Sequence, residues 1–143
     1  MKTILVLNGP NLNLLGTREP TVYGSQTLAD IEAMLVEQGR ALGLAIDLRQ
    51  SNHEGTLVDW LHEAQAAGAK AVLLNAGGFT HTSIAIHDAI KSINVPVIEV
   101  HLSDPHSREP FRHISYVGMA AKECFAGHGA KSYELALDAA AQF

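Results

Sequence analysis

The chain of 143 residues is 47% apolar and carries 10 Lys and Arg against 15 Asp and Glu, a net charge of −5, and a single cysteine. A chain of this size buries roughly two-thirds of its unfolded surface without a metal or disulfide staple, so one domain over residues 1–143 is expected. The acidic balance argues against nucleic-acid or anionic-membrane partners. The lone Cys124 excludes an intramolecular disulfide and a Cys-rich zinc module and suits a cytoplasmic setting, and the first apolar run, residues 4–7, is too short for a signal or membrane segment.

Continuous apolar runs at residues 4–7, 45–49, 71–74 and 97–100 read as parallel strands covered on both faces. The first ends at Asn8-Gly9-Pro10. A helix follows, opened by Thr27 with Asp30 three positions on and stopped by Gly43, with Leu28, Ile31, Leu35 and Leu42 on one face. After the second strand, Thr56 with Asp59 opens another helix, which carries Leu57, Leu61 and Ala64 and ends at Gly68. After the third, Thr82 or Ser83 opens a helix with Ile86, Ala89, Ile90 and Ile93 inward, and Pro96 blocks its continuation. A weaker fifth strand is expected within residues 115–125, and a last helix from about Ser132, with Leu135, Leu137 and Ala140 apolar. Together these predict an α/β, flavodoxin-like, doubly wound five-stranded parallel sheet of order 2-1-3-4-5. Residues 8–26 and 101–114 are longer irregular stretches than a small domain normally carries, which points to function there.

In such sheets ligands bind beyond the carboxyl ends of the strands, near the switch in strand order. Collected there are Asn8, Asn11 and Asn13, then Asn75, Gly77, Gly78 and His81, then His101, Ser103, Asp104 and His106 with Arg108 and Arg112. Donors outnumber anions on this rim, which fits a hydroxylated carboxylate better than a cation. No dinucleotide or nucleoside-triphosphate glycine motif is present. The strand ends where a phosphoacceptor domain would hold Mg²⁺ on aspartates carry the neutral Asn8 and Asn75. His101, Asp104 and His106, with His81, could supply metal ligands. Their spacing matches no helical His pair, and Arg108 and Arg112 would oppose a cation, so no metal is expected. His53, His62, His87, His113 and His128 read as surface or packing residues.

Several stretches carry a resemblance: Leu7-Asn-Gly-Pro-Asn-Leu-Asn-Leu-Leu-Gly16, Arg18-Glu-Pro-x-x-Tyr-Gly24, Gln50-Ser-Asn-His-Glu-Gly55, Asn75-Ala-Gly-Gly-Phe-Thr-His-Thr-Ser83, and Glu99-Val-His-Leu-Ser103 running into His106-x-Arg-Glu-Pro-Phe-Arg112. In this order and spacing the chain resembles the type II 3-dehydroquinate dehydratases over nearly its whole length. The resemblance implies a hydro-lyase without cofactor or metal. Such an enzyme dehydrates 3-dehydroquinate to 3-dehydroshikimate by anti elimination through an enolate, in the shikimate route toward chorismate and the aromatic amino acids or in quinate breakdown.

By the same resemblance Tyr23 is the general base. A phenol titrates near pH 10, so a phenolate near neutrality needs help worth about 4 kcal/mol, for which Arg18 and Arg108 are the available cations. Pro20 and Gly24 would let residues 16–25 act as a lid. His101 matches the general acid, with Glu99 to orient its ring. Asn11 would hold a water at the enolate oxygen. Asn75 and the N–H groups of Leu102 and Ser103 match the carboxylate site, and His81 and Arg112 the contacts to ring hydroxyls. Gly77 and Gly78 let the backbone approach the ligand, while Asn8 and Asn13 read as loop-shaping residues. Asp88 matches a residue that reaches a neighbouring subunit's site, in a homo-oligomer expected to be a dodecamer built as a tetramer of trimers. Two departures from the family pattern stand out: Asp104 where Asn is common, expected to face away from the carboxylate site or to pair with a basic residue, and Ser132 where Gly is common. The rival reading from another class is a non-catalytic sugar-acid or nucleotide-binding module on the same fold.

Overall fold

Strand β1 (Lys2–Asn8) lies between β2 (Leu44–Gln50) and β3 (Ala71–Asn75), and β4 (Val97–Val100) and β5 (Glu123–Phe125) continue the sheet beyond β3. All pairings in this computed structural model are parallel and the order is 2-1-3-4-5. The structure describes residues 1–17 and 19–143, with Tyr23 through its backbone only. No helix among the described residues is long and apolar enough to cross a membrane.

Alternation along the strands sorts the core into two layers, as the period of two requires. Ile4, Val6, Leu73, Ile98 and Val100 point to one face, where α2 (Leu28–Leu42) contributes Ile31 and Leu35 and α5 (Lys131–Ala140) contributes Tyr133, Ala136, Leu137 and Ala140. Leu5, Leu7, Val72, Leu74 and Val97 point to the other, against Leu57, Leu61 and Ala64 of α3 (Glu54–Ala66) and Ile86, Ala89 and Ile90 of α4 (Ile84–Ser92).

Helix α2 begins with a reciprocal cap: Thr27 Oγ1 accepts from the Asp30 N–H at 3.1 Å and Asp30 accepts from the Thr27 N–H at 3.0 Å. It ends at Gly43, whose φ of 72° only glycine adopts without cost. Ser83 caps α4 through the Ile86 N–H at 2.9 Å. Three expectations need correction. Helix α3 starts at Glu54, with His53 extended at its N-cap, so Thr56 lies inside the first turn rather than capping it. Glu54 places a carboxylate beside the open N–H groups of that turn, a favourable charge there. Leu42 is exposed, because the last turn of α2 seats Gly39 against β2 instead; a Cβ there would stand 2.9 Å from the Leu44 carbonyl. In α5 the inward positions include Tyr133 and Ala136, and Leu135 is only half-buried. Ser132 is buried and its hydroxyl accepts from the His128 N–H at 3.2 Å, closing the turn before α5.

The long irregular stretches are not wholly without structure. Residues 8–26 contain a 3₁₀ turn, Leu12–Leu14, and one helical turn, α1 (Pro20–Tyr23). Residues 101–114 contain two 3₁₀ turns, Pro105–Ser107 and Pro110–Arg112.

At the top of the sheet Asn8 pairs in register with Asn75, and the Gly9 N–H donates to the Asn75 carbonyl at 2.8 Å. The two strand ends approach so closely here that a Cβ on Gly9 would collide with the Ala76 carbonyl. Gly9→Ala is therefore expected to destabilise the protein by about 1–3 kcal/mol through overpacking. Urea unfolding measures this, and an unchanged midpoint would show that the strand ends can separate freely.

Candidate active site

The loops above β1, β3 and β4 enclose a cavity of about 180 Å³. Its walls come from Pro10, Asn11 and Leu12 on one side and from Asn75, Gly77, Gly78 and His81 on another. His101, Leu102, Ser103, Pro105, Arg108 and Arg112 complete it. Most residues predicted for the site are thereby brought together.

Glu99 lies in β4 and His101 directly follows the strand, two positions on and so of like facing, and both are almost completely buried. His101 Nε2 lies 2.6 Å from Glu99 Oε2. A carboxylate accepts only, so Nε2 carries the hydrogen of this bond and Nδ1 is the remaining polar atom of the ring. Glu99 Oε2 also accepts from Ser115 Oγ at 2.6 Å, and Ser115 Oγ in turn accepts from the Gly118 N–H at 2.8 Å. Burial alone would raise the Glu99 pKa, but bonds and charge from His101, with further bonds from Ser115 and the Cys124 thiol, outweigh it and the value falls below the ordinary carboxylate range. Burial and the same carboxylate push Cys124 up to about 12, so it stays a protonated donor. Gly118 is required by this packing, since a Cβ there would stand 2.8 Å from Glu99 Oε1.

His81 has the opposite polarity. Its Nδ1 lies 2.7 Å from the Ile114 carbonyl and therefore carries the hydrogen. Burial lowers its pKa, against the pull of that carbonyl and with help from the charge of Arg112. A neutral ring with Nδ1–H offers Nε2 as an acceptor, which suits a ligand hydroxyl. Arg112 is held at Nε by Glu109 at 2.9 Å, and its guanidinium lies 4.9 Å from the centre of the Phe111 ring. Arg108 donates to Ser103 Oγ at 3.3 Å and lies 3.7 Å from Glu109.

Asn11 adopts φ 70° at the start of its 3₁₀ turn. Its N–H donates to Asn52 Oδ1 at 3.0 Å, and that oxygen also accepts from Gln50 Nε2 at 3.1 Å. The left-handed residue is thus held by the loop after β2. Gly77 has φ 59°, and a Cβ there would press on the Pro10 carbonyl at 3.1 Å, whereas a Cβ on Gly78 would meet nothing within 4 Å. Gly77 is thus needed for the turn, and Gly78 leaves open space at the cavity wall. The Leu102 carbonyl accepts from the Gly129 N–H at 2.9 Å, and the planar trans peptide therefore turns the Ser103 N–H away from the 127–129 loop.

The family model for dehydroquinase class II matches residues 2–141. The chain belongs to the dehydroquinase class II family. It is 59% identical over 143 residues to 3-dehydroquinate dehydratase 2 of Ralstonia nicotianae, covering 97% of this chain and 93% of that one. It is 61% identical over 139 residues to 3-dehydroquinate dehydratase of Rhizobium meliloti, covering 96% and 92%. Among solved structures, the type II dehydroquinase from Propionibacterium acnes superposes with a TM-score of 0.95 at 45% identity, covering 100% of this chain and 98% of that one. A 3-dehydroquinate dehydratase-like protein from Bifidobacterium longum gives a TM-score of 0.76 at 32% identity, covering 99% and 97%.

Not every site expectation for this class II dehydroquinase falls on the cavity. Arg18 and the Tyr23 side chain lie outside the described residues. Thr21, Val22 and Gly24, which flank Tyr23, border a second, larger cavity of about 870 Å³ that shares Leu102, Ser103 and Arg108 with the first. Asp88 is exposed on α4, pairs with His87 at 2.8 Å, and does not line its own chain's cavity. Asp104 is turned onto its own backbone, its Oδ1 accepting from the His106 N–H at 3.0 Å, and it borders the second cavity rather than the first. His106 stacks near His113, ring centres 5.7 Å apart, and does not join His101 as a ligand group. Among the described residues the one group with metal-ligating atoms close together is Glu99, His101 and Cys124, within 4.8 Å of one another. Hydrogen bonds already occupy its carboxylate.

Sequence reasoning missed Ser115, Gly118, Cys124, Asn52 and Tyr133. Of these Asn52 sat in a quoted motif and Tyr133 directly after the Ser132 departure; Ser115 and Gly118 lie in a stretch with no periodic pattern.

Because the Glu99 pKa is depressed in the folded state, the stability it contributes is present above the ordinary carboxylate range and is lost as pH falls through the folded value. Glu99→Gln is expected to be less stable than the wild type at pH 7, with the gap narrowing below about pH 4.3. Chemical unfolding at pH 7 and at lower pH tests this, and a gap independent of pH would contradict it.

Proposed function

We propose that this dehydroquinase dehydrates 3-dehydroquinate to 3-dehydroshikimate by anti elimination through an enolate, with Tyr23 as base and His101 as acid. The observation that carries the reading is the buried Glu99–His101 pair, whose imidazole lines a small cavity otherwise rich in amide and guanidinium donors. Tyr23 as phenolate takes a proton from the carbon beside the ketone, and the electron pair moves onto the carbonyl oxygen as an enolate. A water held by Asn11 donates to that oxygen. The enolate then re-forms the ketone as the hydroxyl on the next carbon departs, taking a proton from His101 Nδ1 and leaving as water. Glu99 keeps Nε2 occupied, so the other nitrogen is the one that serves the leaving group. The proton gained by Tyr23 and the one lost by His101 cancel through solvent, and no net redox change occurs.

Substrate orientation follows from the polarity of the walls. Asn75 and the Leu102 and Ser103 N–H groups take the carboxylate, Arg112 and the His81 acceptor take ring hydroxyls, and Gly77 and Gly78 leave space for the ring. Residues 16–25 close as a lid, bringing Arg18 and Tyr23 to the substrate, with Arg18 and Arg108 favouring the phenolate. The positive φ values of Gly16 at 94° and Gly24 at 84° support bends at both ends of that segment. Assembly as a tetramer of trimers would bring Asp88 of a neighbouring subunit to the site.

Purified protein mixed with 3-dehydroquinate is expected to develop the ultraviolet absorbance of a conjugated enone, equally with and without EDTA. A protein that binds the compound without this signal would be the binding module instead. Tyr23→Phe is expected to lower kcat by at least about a hundredfold with the fold retained; near-normal turnover would remove Tyr23 from the role of base. Since Asp104 faces its own turn, Asp104→Asn is expected to leave KM within about twofold, and a large fall in KM would mean that its charge acts on the substrate.

A further inference from the structure

Tyr133 is the bulkiest fully buried side chain in the described protein, and no step of the mechanism uses it. Its ring enters from the first turn of α5, and its hydroxyl sits between the ends of β1 and β3. It donates to Asn8 Oδ1 at 2.6 Å and accepts from Asn75 Nδ2 at 2.9 Å. Asn8, Asn75 and Tyr133 are all at most 4% exposed.

The direction of these bonds is fixed from one end. Asn8 Nδ2 donates to the carbonyls of Arg49 at 3.1 Å and Val6 at 3.4 Å, which accept only, so the amide nitrogen must face them. Asn8 Oδ1 therefore faces Tyr133 and takes its single phenolic hydrogen. Burial raises the pKa of this phenol, so the hydrogen is retained. What remains on the Tyr133 oxygen is lone-pair density, which the amide nitrogen of Asn75 satisfies among the described residues. Asn75 Oδ1 is then turned to the Gly77 N–H at 3.2 Å. One N–H hydrogen of Asn75 is left over, on a residue that lines the cavity.

We propose that Tyr133 is a positioning residue that sets the polarity of Asn75, making the cavity wall at that point a hydrogen-bond donor suited to an anionic oxygen of the ligand. This rests on the reading of Asn75 as a contact to the substrate carboxylate. A phenylalanine at 133 would keep the ring packing and remove the shorter of the two bonds that hold the amide one way round, leaving the one from the Gly77 N–H at 3.2 Å. The amide could then present its oxygen to the carboxylate. A weakened contact to a group that does not change during the reaction raises KM rather than lowering kcat.

The test measures kcat, KM and thermal unfolding for Tyr133→Phe, Asn75→Ala and the double variant. Tyr133→Phe is expected to raise KM roughly tenfold with kcat within about twofold. In the Asn75→Ala background it is expected to have no further effect on KM, because its action passes through that amide. A merely structural tyrosine would lower the unfolding temperature in both backgrounds and leave KM alone, which overturns the proposal, as would KM effects that multiply. Asn75→Ala with unchanged KM removes Asn75 from the carboxylate site and takes the proposal with it, a failure recognisable because it appears without any change at 133. Should Tyr133→Phe not fold, Asn8→Ala frees the phenolic hydrogen from its acceptor and carries the same KM expectation.

Discussion

The in-register pairing of β1 with β3 governs the whole upper rim of the molecule. It brings Asn8 opposite Asn75 and draws Gly9 onto the Asn75 carbonyl, and it places the last residues of two strands within reach of one buried phenol. A slip of β1 by one residue would send Asn8 to the opposite face of the sheet, away from Asn75. The register is in turn enforced by the two-sided core, since Leu5 and Leu7 fill one layer while Ile4 and Val6 fill the other. The chemistry at the strand ends is therefore anchored by packing well below it.

A second constraint lies one strand over. A carboxylate as buried as Glu99 would ordinarily take up a proton, and several donors that converge on it prevent this. They come from three places: the residue two positions on in the chain, the turn at 115–118, and β5. The short edge strand β5 thus supports the Glu99–His101 pair by its Cys124 thiol and by the Phe125 carbonyl, which accepts the His101 N–H at 3.0 Å.

Strand positions, sheet order and the capped helices were legible because apolar runs and capping residues are local signals. Gly43 and Ser83 act as their types suggest. The cavity wall was legible because its residues cluster at strand ends and in long loops. What escaped was long-range. Tyr133 sits 125 positions from Asn8, on a helix face that reads simply as core, and its second role depends on a crossing that no periodicity encodes. Ser115 and Gly118 belong to a coil whose shape follows from the carboxylate it wraps. Asn8, read as a loop-shaping residue, proves to be fully buried and structural in its bonds. Thr56 misled because a carboxylate at Glu54 already serves the start of α3.

The two imidazoles in the cavity differ in which nitrogen is committed. One gives its Nδ1 hydrogen to a main-chain oxygen, the other its Nε2 hydrogen to a carboxylate. Neither ring can exchange roles without losing its hydrogen-bond partner, so the polarity of the pocket is fixed. A ligand therefore meets Nε2 of one ring and Nδ1 of the other, and the two bonds that hold the rings still decide which way round it lies.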